Sequence, residues 1–146
     1  MKNMRIKGMM LFLMTALLFF PVKAEAVGIL DTTKEVTLTI SCKDGDRGIA
    51  NAGFEIYQIG GITEAAEIIP NAAFDGRLPK LRELSGSEWR DLTQELCQLT
   101  QGEYLAPAGS GYTDENGMLR FPQDGKKLEQ GLYLIVGGSA RQNGYS

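Results

Sequence analysis

The chain has 146 residues, 15 Lys+Arg against 18 Asp+Glu, no histidine, two cysteines and 18 glycines. The absence of histidine excludes His-based catalytic triads, His–Cys dyads and His-ligated metal sites, and the acidic balance argues against a surface that neutralises nucleic-acid phosphates. A hydrophobic share of 43 % with 23 % charged residues fits one globular domain rather than a disordered chain.

The first 26 residues read as an export signal. Lys2, Arg5 and Lys7 form a positive start, Met9 to Val22 is uncharged and mostly apolar, and Ala24-Glu25-Ala26 is a small-x-small cleavage pattern. The apolar run is too short to cross a bilayer core of roughly 30 Å. Cleavage after Ala26 removes Lys2, Arg5, Lys7 and Lys23 against Glu25, leaving 11 basic and 17 acidic side chains on a domain spanning 27–146. No second hydrophobic stretch follows, so no membrane association is expected once the signal is removed.

Glu35-Val36-Thr37-Leu38-Thr39-Ile40-Ser41-Cys42 alternates strictly, with Val36, Leu38, Ile40 and Cys42 on one face, which predicts a strand. Asp44-Gly45-Asp46-Arg47-Gly48 reads as a turn. A second strand is expected from Ile49 to Ile59, stopped by Gly60-Gly61 and neighbouring the first as a hairpin. Residues 62–84 carry Pro70, Gly76 and Pro79 and read as a loop with one short element at most.

From Ser85 the period changes: Trp89, Leu92, Leu96 and Leu99 form a helical stripe, Ser85 and Glu88 can close a capping box, and Gly102 stands at the C-cap. Beyond it, Gly111-Tyr112-Thr113 and Met118-Leu119-Arg120-Phe121 flank Asn116-Gly117, a tight-turn signal, and Leu132 to Val136 is the last strand. Short strands with one inserted helix predict a β-sandwich. The end at Gly144-Tyr145-Ser146 has no structural punctuation, so the sandwich is expected to lack its C-terminal strand and the chain to be a fragment of a longer protein.

Ile49-Ala50-Asn51-Ala52-Gly53-Phe54-Glu55-Ile56-Tyr57 resembles the "pluAGatFelY" segment of Cna protein B-type, prealbumin-like domains. Thr113-Asp114-Glu115-Asn116-Gly117, with Leu119, Phe121, Leu128 and Gly131-Leu132-Tyr133-Leu134, is similar to the segment "TDenGxxxFxxLxxGxYxl" of the same family. The helix between these halves resembles that in the N-terminal domain of sortase-assembled pilins of Gram-positive bacteria. The resemblance covers about residues 34–146 and implies an immunoglobulin-like or prealbumin-like β-sandwich. It further implies a non-enzymatic pilin or wall-anchored adhesin subunit at the cell surface, joined by sortase to other pilin or surface subunits and able to meet a host ligand. An LPxTG-type sorting signal and a pilin-linking lysine motif are both missing from this sequence.

The resemblance also implies an intramolecular Lys–Asn isopeptide bond assisted by a buried acid. Glu55 occupies the matching acid position and Lys43 is the nearest amine, but alternation places Lys43 opposite the Val36/Leu38/Ile40/Cys42 face. No such bond is expected, and both are read as ordinary solvated side chains. Cys42 and Cys97 form either a disulfide stapling helix to sheet or two buried thiols. Asp44, Asp46, Asp114, Glu115, Asn116 and Asp124 lack a calcium ligand ladder and read as turn chemistry. Gly109-Ser110-Gly111 has no helix start behind it, so no phosphate cradle is expected. No catalytic, cofactor or metal residues are assigned. Trp89 is expected in the core, with Tyr112, Tyr133 and Tyr145 as surface aromatics. Two other functions stand beside the surface subunit: a soluble secreted module binding carbohydrate or a host protein, and an enzyme working through carboxylates alone, for which no pair is identified by spacing.

Overall fold

A computed structural model describes residues 29–138 of the chain. The export signal with its cleavage after Ala26, and the terminal Gly144-Tyr145-Ser146, lie outside the described residues. The fold is mainly β, with antiparallel sheets and one α-helix. Its strands are β1 (Leu38–Ser41), β2 (Lys43–Asp44), β3 (Arg47–Gly48), β4 (Gly53–Ile62), β5 (Ile68–Pro70), β6 (Gly109–Tyr112), β7 (Met118–Phe121) and β8 (Gly131–Gly137). Its helix, α1, spans Gly86–Gly102.

β4 is the axis of the molecule. β8 runs antiparallel along it from Phe54↔Gly137 to Gly61↔Gly131, while β6 pairs with its first half and β5 with its last residues. Period 2 then sends alternate side chains to opposite faces. Phe54 and Ile56 of β4 and Ile135 of β8 enter one core, completed by Leu38 and Ile40 of β1, Cys42, Leu119 and Phe121 of β7, and Leu128. Tyr57 and Ile59 of β4 and Leu132, Leu134 and Val136 of β8 enter the other, closed by Leu92 and Leu96 of α1 and by Phe74. The central sheet therefore lies between a two-stranded β1–β7 ribbon and the helix. Both of its long strands are apolar on both sides, as doubly covered strands must be.

The alternation of β1 holds: Leu38, Ile40 and Cys42 are buried and Thr39 is exposed. Its partner differs from expectation. β1 pairs with β7, from Leu38↔Phe121 to Ser41↔Met118, and the local hairpin is only β2–β3 around Gly45. The Ile49–Ile59 strand starts later, at Gly53, and runs through Gly60-Gly61 to Ile62 with a bulge between Gln58 and Gly60. Gly60 does not stop the strand; it admits the β5 backbone, since a Cβ there would come within 2.6 Å of the Ile69 carbonyl oxygen. The 62–84 region holds β5 and two short 3-10 turns, Ala72–Phe74 and Leu81–Glu83.

The helix follows the sequence closely at its start. The Ser85 hydroxyl accepts the Glu88 N–H at 3.3 Å, and the Glu88 carboxylate accepts the Ser85 N–H at 2.7 Å. Those bonds hold the Glu88 carboxyl below its ordinary pKa, the Ser85 side chain contributing most and its backbone next. Leu92 and Leu96 are buried, and Trp89 and Leu99 pack half-buried against the same core. Its end departs from expectation: Gly102 is still helical, and the left-handed residue is Tyr104, at φ 49°.

Candidate functional site

The two segments that carry the family resemblance, 61 to 64 residues apart, meet at one corner of the fold. Its centre is Thr113, 3 % exposed, at the end of β6. The Ala52 N–H donates to Thr113 Oγ1 at 2.9 Å, and that hydroxyl donates to the Ile49 carbonyl at 2.6 Å. The Thr113 N–H donates to the Ala52 carbonyl and the Asn51 N–H to the Thr113 carbonyl, each at 3.0 Å. One buried side chain and its own peptide groups thus fix residues 49–52, including Asn51 at φ 59°. A threonine suits this position because its hydroxyl donates and accepts at once.

The following turn completes the corner. Asp114 Oδ1 accepts the Asn116 N–H at 2.8 Å and the Met118 N–H at 3.0 Å, so this carboxylate serves the turn, as expected from the sequence. Gly117 takes φ 75°, its carbonyl accepts the Cys42 N–H at 2.7 Å, and a Cβ on it would collide with the Cys42 carbonyl. Gly48 packs equally close to the Asn116 backbone. The strands flanking Asn116-Gly117 do not form a hairpin with each other. β6 joins the central sheet and β7 the ribbon, so the turn links two layers.

Lys43 and Glu55 are not brought together. Lys43 is exposed in the β2–β3 hairpin, at the end of the ribbon. Glu55 projects to the opposite face of the central sheet, where it accepts the Tyr57 hydroxyl at 2.6 Å. Burial first, and then the bond to Glu55, pushes the Tyr57 phenol up to about 12. Tyr57 is a partner that sequence reading missed, although the i, i+2 spacing in a strand already places both side chains on one face.

The thiols are also separated. Cys42 lies in the ribbon-side core and Cys97 on the helix side, so the central sheet stands between them and both are free. The helix-to-sheet disulfide is therefore corrected to two unlinked thiols, because Cys42 faces the ribbon core that α1 does not reach. Burial raises both thiol pKa values, which disfavours the reactive thiolate.

Among the described residues, no cluster of three or more His, Cys, Asp or Glu could hold a metal ion, and no helix is long and apolar enough to cross a membrane. A groove of about 410 Å³ opens between Pro107–Ser110 and Phe121–Leu128, floored by Ile56 and Phe121 and rimmed by Lys126 and Asp124. Tyr112 is 73 % exposed, Tyr133 half-buried with its hydroxyl donating to the Glu129 carbonyl at 2.7 Å, and Tyr145 outside the described residues. Tyr104, 92 % exposed, was not singled out by periodicity. Compared with family models, curated proteins and solved structures, the chain matches none.

Proposed function

We propose that this chain is an exported, non-enzymatic structural subunit of a Gram-positive cell surface, similar to the Cna B-type domains and N-terminal domains of sortase-assembled pilins. Its fold, on this reading, is a prealbumin-like sandwich in which the β1–β7 ribbon is one sheet and the β4-centred sheet the other, with α1 inserted outside. The supporting observation is the Thr113 corner. The two segments chosen for their likeness to one family, far apart in sequence, bind each other through four hydrogen bonds. The chemistry around it is structural: turn carboxylates used on backbone N–H groups, thiols held neutral by burial, and glycines placed where backbones touch.

Such a subunit acts by position, presenting surface at a distance from the cell and joining its neighbours through sortase. No isopeptide bond forms between Lys43 and Glu55's neighbourhood in this reading, and no cofactor is used. The test is fractionation of the producing bacterium. The account expects the chain in the cell-wall fraction, cleaved after Ala26 and shifted into high-mass covalent species that vanish when sortase is deleted. Recovery of the full-length chain from the cytosol contradicts it. A freely soluble secreted form instead favours a binding module for carbohydrate or a host protein, for which exposed Tyr104 and Tyr112 offer stacking faces.

A further inference from the structure

The outer edge of β8 is the least protected feature of the fold. The Gly138 N–H donates to the Gly53 carbonyl, so alternation turns the backbone groups of Val136 and Leu134 toward β4 and those of Gly137, Ile135 and Tyr133 away from it. Among the described residues β8 pairs with β4 alone. The open edge belongs to Gly131-Leu132-Tyr133-Leu134-Ile135-Val136-Gly137, which has neither a charge nor a proline. Folded proteins normally blunt such an edge with charge, proline or a bulge. β1 offers a contrast: its open edge carries Thr37, Thr39 and Ser41, with the Lys127–Glu35 ion pair at 2.7 Å beside it.

The sequence around β8 is complementary to itself. The nearest charged residues to Ile135 are Glu129, six positions before it, and Arg141, six positions after it. An antiparallel pairing of two copies centred on Ile135 sets each Glu129 opposite the other copy's Arg141. It also sets Tyr133 opposite Gly137, where an aromatic ring covers a residue without a side chain, as Tyr112 does over Gly53 within this fold. The outward backbone groups at 133, 135 and 137 then meet as hydrogen-bonded pairs.

We infer that β8 is an interface for a second copy of this chain, two β8 strands pairing antiparallel about Ile135 so that the central sheet runs continuously through the dimer. This goes beyond the surface-subunit reading and does not depend on it.

Sedimentation velocity of the purified protein, up to about 100 µM, tests the inference. Two copies per particle are expected. Gly137→Pro removes only an outward N–H and no side chain, and an edge strand tolerates proline there, so the monomer keeps its circular dichroism spectrum. This variant is expected to dissociate at least about tenfold more readily. Glu129→Arg and Arg141→Glu are each expected to weaken the dimer about three- to tenfold, and the double variant E129R/R141E to restore it within about twofold. The charge-swap series decides the matter even if the proline variant does not fold. A monomeric protein at the highest concentration, a dimer indifferent to both kinds of substitution, or a double variant no better than the singles overturns the inference.

Discussion

The two faces of the central sheet are covered by different means. On the ribbon face, β1 and β7 come from segments about 80 positions apart, and the layers approach closely because glycines remove side chains where they touch. A Cβ on Gly109 would come within 2.9 Å of the Phe121 ring, and one on Gly111 within 2.9 Å of Leu119. On the helix face, one local, self-capped element lays Leu92 and Leu96 on Leu132, Leu134 and Val136. The first face depends on backbone fit at a few positions. The second depends on apolar area, which tolerates repacking more readily.

That contrast can be broken in a graded way. Gly117→Ala should be the most damaging change, because it combines left-handed backbone strain with a collision against the Cys42 carbonyl that only a backbone shift relieves. A loss of about 4 kcal/mol in denaturant unfolding is expected. Thr113→Val keeps the shape but leaves the Ala52 N–H and Ile49 carbonyl without their hydroxyl partner, at a cost of about 3 kcal/mol. Leu96→Ala on the helix face should cost about 2.5 kcal/mol, less than its burial alone suggests, since the helix can settle onto the sheet.

Smaller effects sharpen the picture. Ser85→Ala removes the cap and should cost about 1 kcal/mol. Because Glu88 is held below its ordinary pKa in the fold, the cap's electrostatic contribution is present above the unfolded value near 4.5 and disappears as pH falls through the lowered one. The pH dependence of unfolding in Ser85→Ala should therefore be flatter on the acid side. Tyr57, raised from 10.0 to about 12, contributes stability below pH 10 that is lost as pH climbs toward 12. Absorbance of ionised tyrosine should show late phases for Tyr57 and Tyr133, one of them absent in Tyr57→Phe.

Much of the local structure was legible in the sequence. The alternation of β1, the Ser85–Glu88 capping box, the Trp89-to-Leu99 stripe and the last strand all rest on interactions within a few residues. Pairing was not legible, because the partner of β1 is chosen by tertiary contact, and β7 lies far along the chain. Glycine was misread for the same reason. Gly60 and Gly102 have the composition of stops, yet one admits a neighbouring backbone and the other lies within a helix whose left-handed residue is Tyr104. At the candidate site, the motif segments were visible, but their mutual contact through Thr113 was not. Nothing local reveals that a threonine hydroxyl will be buried against a loop more than 60 positions away. The cysteine alternatives were settled by layer, since neither spacing nor burial alone places the two thiols on opposite sides of the sheet.

The corner at Thr113 carries the account, and amide exchange reads it directly. In the native protein the Ala52 and Asn51 amides should exchange only through opening of the whole ribbon-side core, as slowly as the β1–β7 ladder. In Thr113→Val they should exchange at least about tenfold faster by local opening, while the amides of α1 keep their native rates. Unchanged protection at Ala52 and Asn51 in that variant, or loosening spread evenly over corner and helix, would contradict the claim that this one threonine joins the two layers.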